Sequence, residues 1–409
     1  MLAYILLWIM IGYFISAIVY FGLCYRPMPK GLAHREILHF VDFGIRVSEY
    51  FGDIVEAVFG VHARIIYIRI LLAIGNAIPR PPVQGAKLSW TTIADVPVRL
   101  WQPKASSNSF QKLDIQSKSH PVIIFIHGGG WAAVKPNYYD LPMAYFVKKL
   151  GCTIFGIEYR KSPEHPFPGG LDDCMNVIRA LDEKKLLEYG ISNCNGLVLF
   201  GDSAGGNLVA AVSRRMKTEG RIKCQVLLYP VTTAYGSVTK SFHSFRNTIE
   251  GSRLLSPPTV ARKVLLYLGI DGCKENVSKV LKGHHIQLGV SQSLDSFIRE
   301  YGEPDCVPDD EDVDLKLSSL FASRAFDPDL SPLHDEDPSG LPPTIVCTCG
   351  YDVLSDEGRA YAKHLKKFGV PVVDNFYPSA FHGMLNIPYS PVANQMRQDV
   401  AEFITKYTQ

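Results

Sequence analysis

The sequence predicts an α/β fold: a mostly parallel central sheet with helices on both faces, a helical cap, and a transmembrane helix at the N-terminus. Three observations carry this. From residue 121 to the C-terminus, short apolar runs alternate with amphipathic stretches. Residues 235–320 interrupt that rhythm with short helical segments. Residues 1–25 contain no Asp, Glu, Lys, Arg or His.

The N-terminal run reads MLAYILLWIMIGYFISAIVYFGLCY. About 20 apolar residues cross a bilayer. A cleaved signal peptide has a basic n-region, a shorter apolar core and a small-residue cleavage site. Here the apolar run begins at residue 2 and closes on bulky Tyr20, Phe21, Leu23 and Tyr25. The expectation is an uncleaved anchor over residues 1–25, followed by an N-terminal cap segment over 26–86. Within that segment, residues 54–78 are apolar at Ile65, Ile66, Ile68, Leu71 and Leu72 but carry Arg64 and Arg69. Two arginines near the middle of a span are costly, so a core helix or an interfacial amphipathic helix is expected there.

WTTIADVPVRLWQP (90–103) alternates like a hairpin. PVIIFIH (121–127) is continuously apolar, as in a strand buried on both faces. CTIFGIEY (152–159), GLVLFGD (196–202), KCQVLLYP (223–230), PTIVCTCG (343–350) and VPVVDNFYP (370–378) repeat that type. Helices are expected at 171–189, 204–217, 357–368 and 393–407. The catalytic unit then spans 87–409, with a cap insertion at about 235–320. In that insertion 259–290 reads as short helices behind Pro257-Pro258, and the acidic EPDCVPDDEDVD (303–314) reads as a solvated loop.

Net charge is +2 without a long basic block, which argues against nucleic-acid binding. Nine cysteines, odd in number and without C-x-x-C spacing, form neither a dense disulfide framework nor a zinc site. No metal and no cofactor is expected.

GDSAG (201–205) is a G-x-S-x-G sequence, with an apolar strand before it and an amphipathic stretch after it. That context is what a nucleophile elbow requires, and it exposes Ser203 at a tight strand-to-helix turn. A serine hydroxyl needs a base, and the base needs an orienting carboxylate. In this architecture the chain order is Ser, acid, His. His243, His284 and His285 lie in the insertion, His364 in a helix, and His334 ahead of the strand that should carry the acid. His382 follows the last strand in AFHGM. Asp352 follows PTIVCTCG, whereas Asp356 and Glu357 begin the next helix and suit its dipole. The expected catalytic set is Ser203, Asp352 and His382.

HGGGW (127–131) gives up side-chain packing for close backbone approach. Acyl transfer builds charge on the former carbonyl oxygen, and preorganised backbone N–H donors are the strongest aid. Gly128 and Gly129 are the candidate donors, with Ala204 as the third. Trp131 is a candidate wall of the substrate pocket.

HGGGW, EYRKSPEHPFP (158–168), GDSAGGN (201–207), YDVLSDEG (351–358) and FHGM (381–384) together resemble the hormone-sensitive lipase group of α/β-hydrolases. Within it, the uncharged N-terminus and the stretch from Asp329 to Met384 look most like the arylacetamide deacetylase and neutral cholesterol ester hydrolase members. The resemblance implies the α/β-hydrolase fold, the same catalytic and oxyanion residues, a loop-holding role for His127, and supporting roles for Glu164 and Asp202. One departure stands out. Several similar members carry a cysteine directly after HGGGW that can pair near the acid; here Ala132 occupies the place, although Cys349 remains.

The expected function is hydrolysis of apolar or lipid carboxylic esters, with arylamides as a second class, through an acyl-enzyme. The competing class is a binding protein on the same fold. Plant gibberellin receptors resemble this group and keep the serine but lack the histidine. The presence of His382 favours the enzyme. Arg26, Lys30 and Arg35 follow the anchor, which by the positive-inside rule alone places the catalytic domain in the cytosol. The resemblance implies the endoplasmic reticulum lumen instead, where the sequon Asn276-Val277-Ser278 would matter. The lumenal side is the expectation and the cytosolic side the alternative.

Overall fold

The computed structural model describes residues 28–77, 83–104, 121–194, 196–247, 255–287, 289–290, 294–302 and 312–408, with six residues among the first fifteen. The anchor expected over 1–25 lies outside the described residues apart from those six, which are helical and exposed. Most of the acidic run at 303–314 also lies outside them. Asp314 is described, and its side chain caps a helix by accepting the Leu317 N–H.

From residue 28 onward, the first described helix is α1, Arg35–Ala77. The hairpin β1 (Ala86–Ile93) and β2 (Val96–Pro103) follows. Next come β3 (Val122–Ile126), α2 (Asp140–Leu150), β4 (Thr153–Ile157), α3 (Gly169–Ala180) and α4 (Glu183–Glu188). Then come β5 (Leu197–Asp202), α5 (Ala204–Arg215) and β6 (Ile222–Leu228). The insertion carries α6 (Lys240–Asn247), α7 (Pro257–Leu268), α8 (Lys274–Leu281), α9 (Asp295–Tyr301) and α10 (Leu315–Ala325). The chain closes with β7 (Thr344–Tyr351), α11 (Ser355–Lys367), β8 (Val372–Phe381) and α12 (Pro391–Thr408).

The eight strands form one sheet in the order β1-β2-β4-β3-β5-β6-β7-β8. The hairpin pairs antiparallel and β2 joins β4 antiparallel; every pairing from β4 to β8 is parallel. The continuous apolar runs have a clear use. Along β3, Val122, Ile124 and Ile126 feed the core on one face, while Ile123 and Phe125 feed the core on the other. A strand with period 2 can serve both faces only if every residue is apolar.

One helix expectation changes, and one helix not expected from the sequence is added. The run at 171–189 is two helices, because Asp182 accepts the Lys185 N–H and caps a new start. α2 had no clear sequence signal: its first turn contains Pro142, which is tolerated there because that N–H has no helical partner.

α1 is not one rod. Gly60 has φ 84° and ψ 174°, a conformation open to glycine. Arg64 pairs with Glu49, Asp53 and Glu56. Fifteen residues of straight helix rise about 22 Å, beyond the reach of one arginine. The chain therefore folds back at Gly60 into a helical hairpin. Its second arm packs Val61 and Ile65 against Ala132 and Leu266, joining the hairpin to α7 of the insertion. Glu56 strengthens that joint by accepting from Arg262 at 2.7 Å and from the Lys274 N–H at 2.9 Å.

Candidate active site

Parallel strands place their carboxyl ends on one edge of the sheet. Four residues of interest each stand directly after a strand: His127 after β3, Ser203 after β5, Asp352 after β7 and His382 after β8. Residues up to 255 positions apart in sequence thus meet at one place.

His382 Nε2 lies 2.9 Å from Ser203 Oγ, and His382 Nδ1 lies 2.8 Å from Asp352 Oδ2. A carboxylate only accepts, so Nδ1 carries the proton and Nε2 is left to accept from the serine hydroxyl. Asp352 is buried, and its other oxygen accepts the Leu354 N–H at 3.0 Å. Asp356 is engaged elsewhere: its Oδ2 accepts the Ser241 N–H at 2.7 Å. The other histidines stand apart from Ser203. His334 Nε2 lies 2.9 Å from Thr233 Oγ1, His364 bonds the Asp335 carbonyl, and His285 is buried beside Ser237.

Ser203 has φ 54° and ψ −124°, a strained backbone for a non-glycine residue. The surrounding turn holds it there. A Cβ on Gly205 would lie 2.0 Å from the Ile126 carbonyl oxygen, and one on Gly201 would lie 2.3 Å from that of Gly205. Both clashes are with backbone, so the motif's glycines are required by contact.

The glycine loop corrects one expectation. The Gly128 N–H donates to Asp202 Oδ1 at 2.8 Å, so this donor is already spent. Gly128 is glycine for another reason: a Cβ would sit 2.9 Å from the Asp202 carbonyl oxygen and 3.1 Å from Ser203 Cβ. Gly129 and Gly130 follow with φ of 102° and 62°. Among the described residues, no acceptor occupies the N–H of Gly129, Gly130 or Ala204. Ala204 opens α5, where first-turn amides have no helical partner.

Asp202 is buried and also accepts from Tyr139 Oη at 3.0 Å. Burial pushes its carboxyl up to about 6, while its two donors favour the ionised form. His127 is fully buried, stacks on Tyr159 at 4.4 Å, and has Nδ1 2.7 Å from the Gly128 carbonyl oxygen. Burial, with Lys161 nearby, holds the imidazole neutral and well below its ordinary range. It braces the loop.

Trp131 is the second correction. Its side chain is 3% exposed and lies flat on Tyr267 of α7, with centroids 4.2 Å apart and planes 3° off parallel. The stack clamps the glycine loop to the insertion, so Trp131 is a packing residue and not an open pocket wall.

Arg69 and Glu357 had no assigned part in the site. The Arg69 guanidinium donates to the carbonyls of Ala132 at 2.7 Å and Ser162 at 2.9 Å, and grips Glu164 through both carboxylate oxygens at 2.7 and 2.8 Å. The sequence signal was an arginine inside an apolar run. Glu357 is buried and accepts the Thr232 N–H at 2.7 Å, tying α11 to the loop after β6. Burial raises its carboxyl to about 8. Gly236 leaves room for this carboxylate, since a Cβ there would lie 2.0 Å from Glu357 Oε2 and the side chain would have to shift. Cys349 is buried and unpaired, consistent with Ala132 in the place of its partner.

The family model of the alpha/beta hydrolase fold matches residues 123–290 and 298–386. Arylacetamide deacetylase of Bos taurus is 27% identical over 400 residues, covering 93% of this chain and 94% of that one. Neutral cholesterol ester hydrolase 1 of Rattus norvegicus is 26% identical over 386 residues, covering 88% and 89%. Among solved structures, a hyperthermophilic esterase from the archaeon Pyrobaculum calidifontis superposes with a TM-score of 0.61 at 22% identity, covering 84% of this chain and 93% of that one. The fold, the motifs and these relatives agree: the chain belongs to the alpha/beta hydrolase fold family, in its hormone-sensitive lipase-like group.

Proposed function

We propose that this protein is a membrane-anchored serine hydrolase that cleaves carboxylic esters of apolar or lipid substrates, and arylamides as a second class. The observation that carries the reading is the chain Ser203 Oγ, His382 Nε2, His382 Nδ1, Asp352 Oδ2 at 2.9 and 2.8 Å. Ser203 Oγ attacks the ester carbonyl carbon while His382 takes its proton, and Asp352 stabilises the imidazolium. The negative oxygen is held by the free amides of Gly129, Gly130 and Ala204, at the positive end of α5. The intermediate collapses, His382 gives its proton to the leaving alcohol, and an acyl-Ser203 ester remains. Water, deprotonated by His382, releases the acid. Among the described residues no group of His, Cys, Asp and Glu could hold a metal ion, and each step uses side chains and amides alone.

The proposed organisation is an anchor over 1–25, an N-terminal cap segment over 26–86, and a catalytic domain over 87–409 with the insertion at about 235–320. The names of the relatives, one a deacetylase and one a cholesterol ester hydrolase, support the substrate class. We place the protein in the endoplasmic reticulum membrane with the catalytic domain lumenal. Asn276 lies at the surface at the start of α8, its Nδ2 donating to the Asp271 carbonyl at 2.8 Å. In microsomes, a glycosidase-sensitive mass that vanishes in Asn276→Gln supports the lumenal side; protease digestion of the catalytic domain in intact microsomes refutes it.

A fluorophosphonate probe tests the chemistry. The full chain is expected to label at Ser203, and Ser203→Ala to lose both label and ester hydrolysis. A folded protein that takes no label at Ser203 would make it a binding protein.

A further inference from the structure

We propose that the α1 hairpin is a second membrane contact: its outer face lies in the interface of a lipid bilayer while its inner face holds the glycine loop of the active site. The apolar exposure is concentrated there. Between residues 41 and 74, twelve large apolar side chains are more than a third exposed; beyond the first fifteen residues, the rest of the described chain has six. Soluble surfaces rarely collect such a patch without a partner.

The exposure is ordered. On the first arm Tyr50, Ile54 and Val58 are 66%, 45% and 66% exposed; on the second, Ile66, Ile70 and Ile74 are 49%, 53% and 60% exposed. Spacings of four residues put each set on one helix face. The first arm's acids, Glu49, Asp53 and Glu56, fall roughly 140° away round the helix. They meet Arg64, which is 3% exposed. Arg46 pairs with Asp42 and Arg69 with Glu164, so every Asp, Glu, Lys and Arg from 41 to 77 has an opposite partner. A face with its charge neutralised on the far side suits lipid.

Val41–Ala77 is long and apolar enough to cross a membrane by length and composition. The hairpin geometry gives it another use. The arm after Gly60 is about 25 Å long, short of the ~30 Å hydrocarbon thickness. Crossing would also pull Arg69 from Ala132, Ser162 and Glu164. Continuity with the anchor selects lipid as the occupant. Nine residues, 26–34, separate the uncharged N-terminal run from α1, a reach of about 30 Å at most. The hairpin is thus confined near the bilayer that holds the anchor. Because Arg69 and the Val61–Ile65–Ala132–Leu266 cluster join it to the glycine loop, the same element brings the catalytic edge to a surface where apolar esters dissolve.

The contact itself stands apart from the hydrolase reading; only the activity arm of the test rests on it. The full chain is reconstituted in phosphatidylcholine vesicles with a photoreactive benzoylphenylalanine at position 58, 70 or, as a control on exposed α4, 184. Lipid adducts at 58 and 70 and none at 184 are expected. No lipid adduct at 58 and 70, or adducts joining two copies of the chain, would overturn the proposal. In parallel, the triple variant Ile66→Ser, Ile70→Ser, Ile74→Ser is assayed on two substrates. Hydrolysis of a water-soluble short-chain ester should stay within about twofold, as for surface changes. Hydrolysis of a long-chain ester dissolved in the vesicles should fall about tenfold or more as apolar insertion is lost. No change on the vesicle ester, or equal loss on both, refutes the assignment. Absence of soluble-ester hydrolysis in the unmodified chain would sink the hydrolase reading and leave the adduct result standing.

Discussion

Replacing Asp352 with asparagine keeps the side-chain shape and removes its charge. The two oxygens of Asp352 face different groups: Oδ2 accepts from His382 Nδ1 at 2.8 Å, and Oδ1 accepts the Leu354 N–H at 3.0 Å. An asparagine there has one acceptor and one donor to share between them. If its oxygen faces His382, its NH₂ opposes the Leu354 N–H. Two donors then confront each other in a buried site, at about 1–3 kcal/mol. If its NH₂ faces His382 instead, Nδ1 must accept and the ring proton moves to Nε2. His382 then presents N–H to Ser203 Oγ and cannot take its proton. The Leu354 amide selects this second orientation, so the variant rests in the unproductive tautomer. Loss of kcat is expected at about 10⁴-fold, or about 5.4 kcal/mol of activation free energy. Purified Asp352→Asn, checked for folding by circular dichroism, is assayed on a short-chain p-nitrophenyl ester beside Asp356→Asn. The Asp356 carboxylate only accepts the Ser241 N–H, so that variant should retain most activity. Near-full activity in Asp352→Asn, with loss in Asp356→Asn, would refute the assignment.

Arg69→Ala leaves the carbonyls of Ala132 and Ser162 without their donor, and hydrogen bonds to a charged group are worth about 1.5–3 kcal/mol. Arg69 and Glu164 are partly exposed, so their ion pair adds little; a fall in kcat/KM of about tenfold is expected, and an unchanged value would refute the role of the hairpin in holding the loop. Acid should destabilise the fold through three imidazoles, two buried and one, His334, half-buried: His127 is held well below its usual range, His285 at about 3 and His334 at about 4, mainly by loss of solvent. An unfolded histidine titrates near 6.5, so below that pH the unfolded chain binds more protons than the native one. This stability is whole above pH 6.5 and is lost as pH falls toward 4, by up to about 4 kcal/mol per pH unit for three protons. Denaturant midpoints in detergent at pH 7, 6 and 5 measure it, and a flat series would refute it. Treatment with a chelator should leave ester hydrolysis intact; inactivation reversed by zinc would refute the metal-free mechanism.

Much of this protein was legible along the chain. The strands β3, β4 and β5 announced themselves because a strand covered on both faces is apolar at nearly every position, while β8, at the edge of the sheet with Asp374 exposed, showed the pattern only in part. Ser203 could be found because an exposed nucleophile at a sharp turn needs glycines at fixed offsets, Gly201 against the turn itself and Gly205 against the backbone of β3. Asp352 and His382 followed from chain order and from standing directly after strands. The tertiary structure alone decided which donors remain free. Asp202 claims the Gly128 amide from 74 residues away, leaving those of Gly129, Gly130 and Ala204. Likewise Trp131 appeared to be a pocket wall until Tyr267, in the insertion, covered its ring. Arg64 and Arg69 looked like faults in an apolar helix; the break at Gly60 turns one inward to three carboxylates and the other onto the glycine loop. In each case the local pattern states what a group can offer, while its partner comes from a distant segment, and only folding brings the two within bonding distance.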